Sequence, residues 1–251
     1  MLSVKEVRKN FGNLRALDGV TLTVASESIT GLIGPNGSGK TTLFNVISGF
    51  YQKDGGEIVF KGRRIDGLTP DAIARRGLCR TFQIAKAPEK LTVLENMLLA
   101  ADGQRGENPV AALFNRRVVS RVEKANLGRA VDLLTILQLR GLSNEYAGNL
   151  SGGQKKLLSL GRMLMRNPDM ILLDEPTAGV NPTLANDLLK TIKGLQDELK
   201  KAFLIVEHNM KVVANLCTKV FVLNFGELLA EGTPEEIQQN DQVLKAYLGG
   251  A

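Results

Sequence analysis

What the chain lacks excludes several classes of protein. No apolar run reaches the roughly 18 uncharged residues that a membrane-spanning helix needs, so none is predicted. The first residues, MLSVKE, carry charges where a secretory signal would need an apolar stretch. The two cysteines, Cys79 and Cys217, lie far apart and lack the spacing of a metal site. They are interpreted as reduced structural thiols in a reducing compartment.

The charge pattern does not favour a nucleic-acid partner. The formal net charge is +6, but the basic residues are scattered along the chain in short groups. No basic stretch is interleaved with aromatic residues, as a single-strand binder would require, and aromatic residues make up only 5% of the chain. We therefore expect no nucleic-acid partner. A solvated basic surface is the plainer interpretation, and proximity to a membrane is the alternative.

Short apolar runs predict an α/β core. Three uniformly apolar runs follow one another in the second half of the chain, and a helix is predicted between the first two, at 184–200. The runs are 170–173, 203–206 and 220–223. Fully apolar strands separated by helices indicate a parallel sheet that is covered on both faces. An earlier apolar run at 28–34 ends in a glycine-rich loop, and a helix is predicted to follow over 40–48.

The rest of the chain predicts two further regions. Near the N-terminus, β-branched stretches at 2–4 and 21–24 predict strands, and residues 56–62 resemble one arm of a hairpin. In the middle, at about 84–165, the pattern becomes helical. Apolar residues there recur at three- and four-residue spacing, as in Val122, Ala125, Ala130, Val131, Leu134 and Leu137, and again in Leu157, Leu160, Leu164 and Met165. The polar, glycine-containing residues 102–108 predict a loop within this region.

The sequence GPNGSGKT, Gly34–Thr41, fits the phosphate-binding pattern GxxxxGK[ST]. Its glycines permit positive φ and a close approach of backbone amides to phosphate oxygens. Lys40 is expected at the β- and γ-phosphates, and the Thr41 hydroxyl is expected to bind Mg²⁺. The motif follows an apolar strand and opens a helix, whose positive end faces the same anion. The predicted ATP-binding residues of this phosphate-binding loop are Gly34, Pro35, Asn36, Gly37, Ser38, Gly39, Lys40, Thr41 and Thr42.

Polar residues at the ends of predicted strands complete a candidate catalytic site. Asp174 and Glu175 follow the run at 170–173, and ligands bind beyond the carboxyl ends of such strands. Asp174 is expected to hold Mg²⁺, and Glu175 to orient or deprotonate an attacking water. His208, the single histidine, follows another predicted strand and can donate a hydrogen bond near the γ-phosphate. Gln83 is expected to contact Mg²⁺ or water.

A second glycine loop lies in the helical region and carries the sequence LSGGQ. This signature loop consists of Leu150, Ser151, Gly152, Gly153 and Gln154. A glycine loop that opens a helix is again an anion-binding device. Together with the phosphate-binding loop, Gln83, Asp174-Glu175 and His208, it makes the chain resemble the ATPases of ABC transporters from end to end.

The resemblance implies the fold and the domain organisation. It implies a P-loop NTPase core of the ABC ATPase type, which is an α/β fold with a parallel sheet, an N-terminal antiparallel β subdomain and an inserted α-helical subdomain. A single ABC ATPase domain would then span residues 1–251. Within it, about 1–83 and 166–251 would form the catalytic core, and about 84–165 would form the helical subdomain with the signature loop.

The resemblance also implies cofactors and partners. ATP and Mg²⁺ are expected, with Phe11 at the position that stacks on adenine. Two ATPase subunits, identical or related, would pack head to tail around two ATP molecules, so that Ser151 and Gly153 act on the partner's ATP. Membrane permease subunits would be bound near Gln83, a solute-binding protein would take part indirectly, and the chain would lie on the cytoplasmic face of the membrane. Asn181, where many members have aspartate, bears on communication between subunits.

Several segments make the resemblance closest to one branch of the family. Segments similar to those of the branched-chain amino acid uptake ATPases are 81–83, 91–96, 178–182, 231–237 and 246–249, and 101–119 resemble an insert of that group. We therefore expect an ATP-hydrolysing importer subunit that powers the uptake of branched-chain amino acids or a similar small polar solute. Urea and short-amide uptake ATPases, lipopolysaccharide-export ATPases and a soluble ABC ATPase outside transport remain alternatives.

Overall fold

The computed structural model describes residues 1–80, 87–101, 116–179 and 182–248, and for 116–119, 182–184 and 248 it describes the backbone alone. The predicted loop at 102–108 and most of segment 101–119 lie outside these residues. The chain divides into two compact units. The first contains Met1–Gln83, Pro168–Ala178 and Ile192–Ala251, and the second contains Ile84–Asn167 and Gly179–Thr191.

The strands lie in the first unit, as far as the described residues show. They are β1 (Leu2–Phe11), β2 (Leu14–Val24), β3 (Ile29–Ile33), β4 (Gly55–Phe60), β5 (Arg63–Arg64), β6 (Leu78–Arg80), β7 (Met170–Asp174), β8 (Ala202–Val206), β9 (Lys219–Asn224) and β10 (Glu227–Gly232). They form a four-stranded sheet of order β2-β1-β4-β5 and a six-stranded sheet of order β10-β9-β3-β8-β7-β6.

The described helices occur in both units. They are α1 (Lys40–Ile47), α2 (Pro70–Arg75), α3 (Val93–Leu99), α4 (Arg116–Ile136), α5 (Gly152–Leu164), α6 (Pro182–Leu199), α7 (Met210–Leu216), α8 (Pro234–Gln238) and α9 (Asp241–Leu248). Two single 3₁₀ turns lie at Arg140–Leu142 and Ala147–Asn149. None of the described helices is both long enough and apolar enough to span a membrane.

The six-stranded sheet confirms the predicted parallel core. Strands β9, β3, β8, β7 and β6 run parallel, and β10 is antiparallel to β9. Every residue of β3 and β8 is buried, as are the first four of β7. Strands that are buried on both faces read as continuous apolar runs, which is why the sequence predicts them well. The order places β3, β8 and β7 side by side, so the residues that follow them share one edge.

The four-stranded sheet confirms the predicted antiparallel region and corrects its extent. Strands β1 and β2 are much longer than the predicted 2–4 and 21–24. Their remaining halves alternate with exposed polar residues and contain register shifts, so the search for β-branched stretches found only their apolar ends. The hairpin arm at 56–62 is confirmed, since β4 pairs with β5 across a turn at Lys61-Gly62.

The second unit has the predicted helical character. In α5, Leu157, Leu160 and Leu164 are buried, as the spacing predicted. On the predicted apolar face of α4, Ala130 and Leu134 are buried, as is Leu137 just beyond the helix end, whereas Val122 and Val131 are half-buried and Ala125 is exposed. Arg129 on α4 also donates a hydrogen bond of 2.7 Å to the backbone oxygen of Leu164 at the end of α5.

Both cysteines are buried and free, which confirms the expected thiols. Burial, and secondly the negative charge of Glu207, raise the pKa of Cys217 to about 12. A thiol with so high a pKa stays protonated and is a poor nucleophile. Cys217 therefore packs as a small apolar side chain.

Gly161 controls how closely α5 packs inside the second unit. A Cβ at this position would lie 2.6 Å from Leu137 Cδ1 and 2.8 Å from Met97 Sδ. Both side chains are 0% exposed, so their ends cannot swing out into solvent to make room. We expect Gly161→Ala to lower the melting temperature, because overpacking costs about 1–3 kcal/mol and exceeds the helix propensity gained. Gly128→Ala on α4 is the matched control, since its Cβ would meet nothing within 4 Å. The control should raise the melting temperature slightly, and a stabilised Gly161→Ala would contradict this packing.

Candidate functional site

The phosphate-binding loop leaves β3 and enters α1 through backbone that requires glycine. Gly34 has φ 149° and Gly39, the residue before α1, has φ 102°. A Cβ on Gly34 would collide with the backbone oxygen of Leu223, and one on Gly39 would lie 2.7 Å from the oxygen of Ala16. The amide of Gly226, in the β9–β10 turn, donates to the Ser38 oxygen at 3.0 Å and holds the loop from outside. The loop is thus packed tightly against neighbouring backbone.

Lys40 lies inside this loop and binds its carbonyl groups. Its Nζ donates to the oxygens of Gly34 and Pro35, both at 2.8 Å, and to Ser38 Oγ at 3.3 Å. Burial lowers the pKa of Lys40, and the charges of Glu175 and Asp174 oppose that effect. An ammonium group held by neutral carbonyls beside two carboxylates can exchange those carbonyls for phosphate oxygens.

The sheet brings the predicted acidic pair and the histidine to the same edge. Asp174 ends β7, and the Glu175 amide donates to the oxygen of Val206, the last residue of β8, at 3.0 Å. Glu175 Oε1 lies 3.7 Å from His208 Nδ1, and the His208 side chain is 62% exposed. Glu175 has φ 46°, a left-handed conformation that is costly for a non-glycine residue. These three residues therefore lie at the same edge of the sheet, with the side chains of Glu175 and His208 next to each other.

Arg80, which the sequence analysis did not single out, pairs with Asp174. Its Nη2 donates to Asp174 Oδ2 at 2.8 Å, and its Nη1 donates to Asn45 Oδ1 at 2.6 Å. Both members of the ion pair are largely buried, with exposed side-chain fractions of 9% and 12%. The only sequence signal would have been a charged residue at the end of a short apolar strand.

Glu207, also missed, joins the loops that carry Glu175 and His208. It is 1% exposed, and its Oε1 accepts hydrogen bonds from the Thr177 amide at 3.2 Å and the Thr177 hydroxyl at 2.6 Å. Its Oε2 accepts from the His208 amide at 3.3 Å. A carboxylate this deeply buried needs such donors. It therefore fixes the turn after Glu175 against the backbone of His208.

Phe11 lies at the end of β1 and keeps 43% of its surface exposed. Tyr51, which the sequence analysis missed, packs edge-on against it, with ring centroids 5.3 Å apart. Lys9 Nζ lies 5.4 Å from the Phe11 ring centroid. An exposed aromatic ring that is braced on its edge is suited to stacking on a flat base.

The C-terminal helix α9 also reaches the phosphate-binding loop, within the first unit. The Tyr247 hydroxyl group faces the backbone amide of Gly34. Burial raises the pKa of Tyr247, and the contact with the Gly34 amide only partly offsets this effect. No sequence pattern indicates this contact.

The signature loop belongs to the second unit and is folded as a helix start. Ser151 is the N-cap of α5, and its Oγ accepts from the Gln154 amide at 3.4 Å. Gln154 Oε1 accepts in turn from the Ser151 amide at 2.9 Å, which completes a capping box. Leu150 and Gly153 are buried, whereas Ser151 and Gly152 are exposed. The loop therefore presents its serine and first glycine to solvent at a helix N-terminus.

The donor set at the sheet edge fits Mg²⁺. Thr41 is exposed on the first turn of α1, and Asp174 commits only its Oδ2 to Arg80. Hydroxyl and carboxylate oxygens are the ligands that Mg²⁺ prefers, in combination with phosphate oxygens and water. Gln83, predicted as a third ligand, lies outside the described residues. So does Asn181, which the resemblance links to communication between subunits.

Two family models match the chain. The first, described as ABC transporter, matches residues 17–178. It spans the phosphate-binding loop, the signature loop and the acidic pair in their predicted order. The chain therefore belongs to the ABC transporter family, as one of its ATP-hydrolysing, nucleotide-binding subunits. The second model, described as branched-chain amino acid ATP-binding cassette transporter, matches residues 227–251 and narrows the membership to that group.

Relatives and solved structures agree with this membership. The high-affinity branched-chain amino acid transport ATP-binding protein BraF of Pseudomonas aeruginosa is 40% identical over 251 residues, which is 100% of this chain and 98% of that protein. The ADP conformation of an ATP-binding cassette of an ABC transporter has a TM-score of 0.84 at 37% identity, covering 99% and 98% of the two chains. A dimeric post-hydrolysis cassette bound to ADP and phosphate has a TM-score of 0.73 at 25% identity, covering 93% and 99%.

The Glu207–Thr177 contact predicts a specific loss of stability. Thr177→Val keeps the shape of the side chain but removes the hydroxyl donor of a buried carboxylate, which should cost about 1–3 kcal/mol. Thermal unfolding of the purified chain measures the loss. Thr135→Val is the matched control, because its hydroxyl lies on an exposed helix face and bonds to the Val131 oxygen, with no second partner among the described residues. Equal melting temperatures for the two variants would show that Glu207 does not depend on Thr177.

Proposed function

We propose that this chain powers the uptake of branched-chain amino acids through separate membrane subunits, as one half of an ATP-binding dimer. The observation that carries the proposal is the shared sheet edge, where the phosphate-binding loop, Asp174, Glu175 and His208 follow neighbouring strands. The predicted helical subdomain of about 84–165, which falls inside the second unit, would present the signature loop.

The phosphate-binding loop would hold ATP by exchanging internal hydrogen bonds for phosphate oxygens. Lys40 Nζ would leave the carbonyls of Gly34 and Pro35 and bind the β- and γ-phosphates. The α1 N-terminus adds backbone amides and a favourable dipole, and the exposed Phe11 ring would stack on adenine. Thr41, Asp174 and Gln83 would hold Mg²⁺, which supplies positive charge at the β- and γ-phosphate oxygens when bound.

The chemical step would be the transfer of the γ-phosphoryl group to water. Glu175 would accept a proton from the attacking water, whose oxygen bonds to the γ-phosphorus. The bond to the bridging oxygen breaks, and ADP and phosphate leave. His208 would donate a hydrogen bond to the γ-phosphate as charge develops there. The 3.7 Å between Glu175 Oε1 and His208 Nδ1 supports a shared target for both side chains.

The signature loop would act on the ATP of a partner subunit. Ser151 and Gly152 are exposed at the α5 N-terminus, where backbone amides attract an anion. With Gly153 they would bind the γ-phosphate from the opposite side, so that ATP closes the dimer and hydrolysis lets it reopen. The dimeric cassette with ADP and phosphate supports this arrangement. The partner would be a second copy or a related ATPase.

The proposed cargo and the proposed membrane partners are based on the relatives of this chain. The C-terminal match and BraF favour branched-chain amino acids over urea, short amides or lipopolysaccharide as cargo. Permease subunits would bind the chain at the cytoplasmic face of the membrane, and a solute-binding protein would deliver the cargo to them. The chain itself would touch neither the cargo nor a nucleic acid.

ATP-dependent dimerisation of Glu175→Gln tests the motor role. The substitution keeps the nucleotide site but removes the proposed base, so ATP should persist between two subunits. We expect light scattering to show a dimer with Mg-ATP and a monomer with Mg-ADP. Lys40→Ala in the same background is the control and should remain monomeric in both. A Glu175→Gln chain that binds ATP but stays monomeric would mean that its partner is a different ATPase subunit.

Transport by the assembled complex tests the cargo. We expect vesicles containing the chain, its permease subunits and the solute-binding protein to take up labelled leucine, isoleucine or valine when Mg-ATP is supplied on the ATPase side. Complexes with Lys40→Ala should take up none. ATP-driven uptake of urea without uptake of these amino acids would contradict the proposed cargo.

A further inference from the structure

Arg80 is a buried cation that has no part in the reaction described above. Its Nη2 lies 2.8 Å from Asp174 Oδ2, and both side chains are almost excluded from water. Asp174 is the carboxylate proposed to face Mg²⁺. The positive charge of Arg80 therefore lies next to the place where the charge of the metal would arrive.

The helix of the phosphate-binding loop holds Arg80 in this position. Arg80 Nη1 donates to Asn45 Oδ1 at 2.6 Å and to Ser48 Oγ at 3.3 Å, and its guanidinium carbon lies 5.5 Å from the Phe44 ring centroid. All three partners lie on or directly after α1. Arg80 Nε is buried and finds no acceptor among the described residues. The guanidinium group is thus held between α1 on one side and the Asp174 carboxylate on the other.

We infer that Arg80 is a counter-charge for Asp174. Its guanidinium group compensates the negative charge of the Asp174 carboxylate and fixes the orientation of that carboxylate before nucleotide binds. Arg80 thereby reduces the factor by which Mg²⁺ increases the affinity for ATP. The inference rests on the proposed function, in which Asp174 faces Mg²⁺. It makes Arg80 a positioning residue, since it acts through Asp174.

Charge compensation determines whether the loss of Arg80 raises or lowers the effect of Mg²⁺ on ATP affinity. A buried carboxylate that loses its ion-pair partner is strongly destabilised, because its charge remains uncompensated. Mg²⁺ would bring positive charge to the same carboxylate together with ATP. Mg²⁺ should therefore stabilise Asp174 more when Arg80 is absent than when the ion pair is intact. By thermodynamic linkage, Arg80 and the metal each weaken the effect of the other on Asp174.

The test compares nucleotide affinity with and without metal in Arg80→Gln. Calorimetric titration of the full chain with the non-hydrolysable analogue AMP-PNP gives Kd in Mg²⁺ and in EDTA. We expect the ratio of Kd in EDTA to Kd in Mg²⁺ to rise on the order of tenfold over the wild type. Without nucleotide, the melting temperature should fall on the order of 5 °C or more.

Three further variants separate charge from packing. Arg76→Gln removes the same charge from an exposed arginine that bonds only to the Arg64 oxygen among the contacts described, so its ratio should equal that of the wild type. Arg80→Lys keeps the charge and should leave the ratio near the wild-type value. Arg80→Gln with Asp174→Asn removes both charges, so it should regain much of the lost melting temperature and show a ratio below that of the wild type.

Each outcome decides the inference. An unchanged or lowered ratio in Arg80→Gln, with Arg76→Gln normal, would overturn it and leave the proposed function intact. If Arg80→Gln does not fold, the double variant decides, because its buried site carries no uncompensated charge. A folded double variant supports the counter-charge, whereas an unfolded one shows that Arg80 serves packing. A wild-type chain that does not bind AMP-PNP would contradict the proposed function itself.

Discussion

The burial of the parallel sheet on both faces is the constraint on which the site depends. Strands β3 and β8 are buried along their whole length, and β7 is buried up to Asp174. Because these strands are parallel neighbours, the chain must leave all three at the same edge. The phosphate-binding loop, the acidic pair and His208 begin within two residues of those strand ends. The apolar interior therefore fixes the polar site, and no contact among the polar side chains is needed to bring them together.

The charged groups at this edge of the sheet differ in the partners that they already have. Lys40 is bound to neutral carbonyls and has its pKa lowered chiefly by burial, so phosphate oxygens offer it a better partner than it has now. Asp174 already has a cation in Arg80, and the buried Glu207 accepts hydrogen bonds from Thr177 and the His208 amide. Lys40, whose present partners are neutral carbonyls, is therefore the group that can respond to a nucleotide. Groups with a buried opposite charge are set before it arrives.

The sequence predicted what depends on local pattern and failed where long-range contacts decide. Fully apolar strands and the glycine loops have strong local signals, and β3, β7, β8 and α1 were predicted to within about two residues. The polar halves of β1 and β2 were missed because cross-strand pairing, and not composition, makes them strands. Arg80 and Glu207 were missed for a similar reason. Their partners lie 94 and 30 positions away, and no spacing rule connects them.

The left-handed conformation of Glu175 shows how these contacts act together. A non-glycine residue with φ 46° costs about 1–3 kcal/mol, so its surroundings must enforce it. The Glu175 amide is fixed by the Val206 oxygen, the Glu175 oxygen accepts from the Ala178 amide at 3.1 Å, and Thr177 is fixed by Glu207. The chain must therefore turn immediately after Asp174, and this turn directs the Glu175 side chain toward His208. Because Glu207 binds both Thr177 and the His208 backbone, a displacement of the turn after Glu175 cannot leave His208 unaffected.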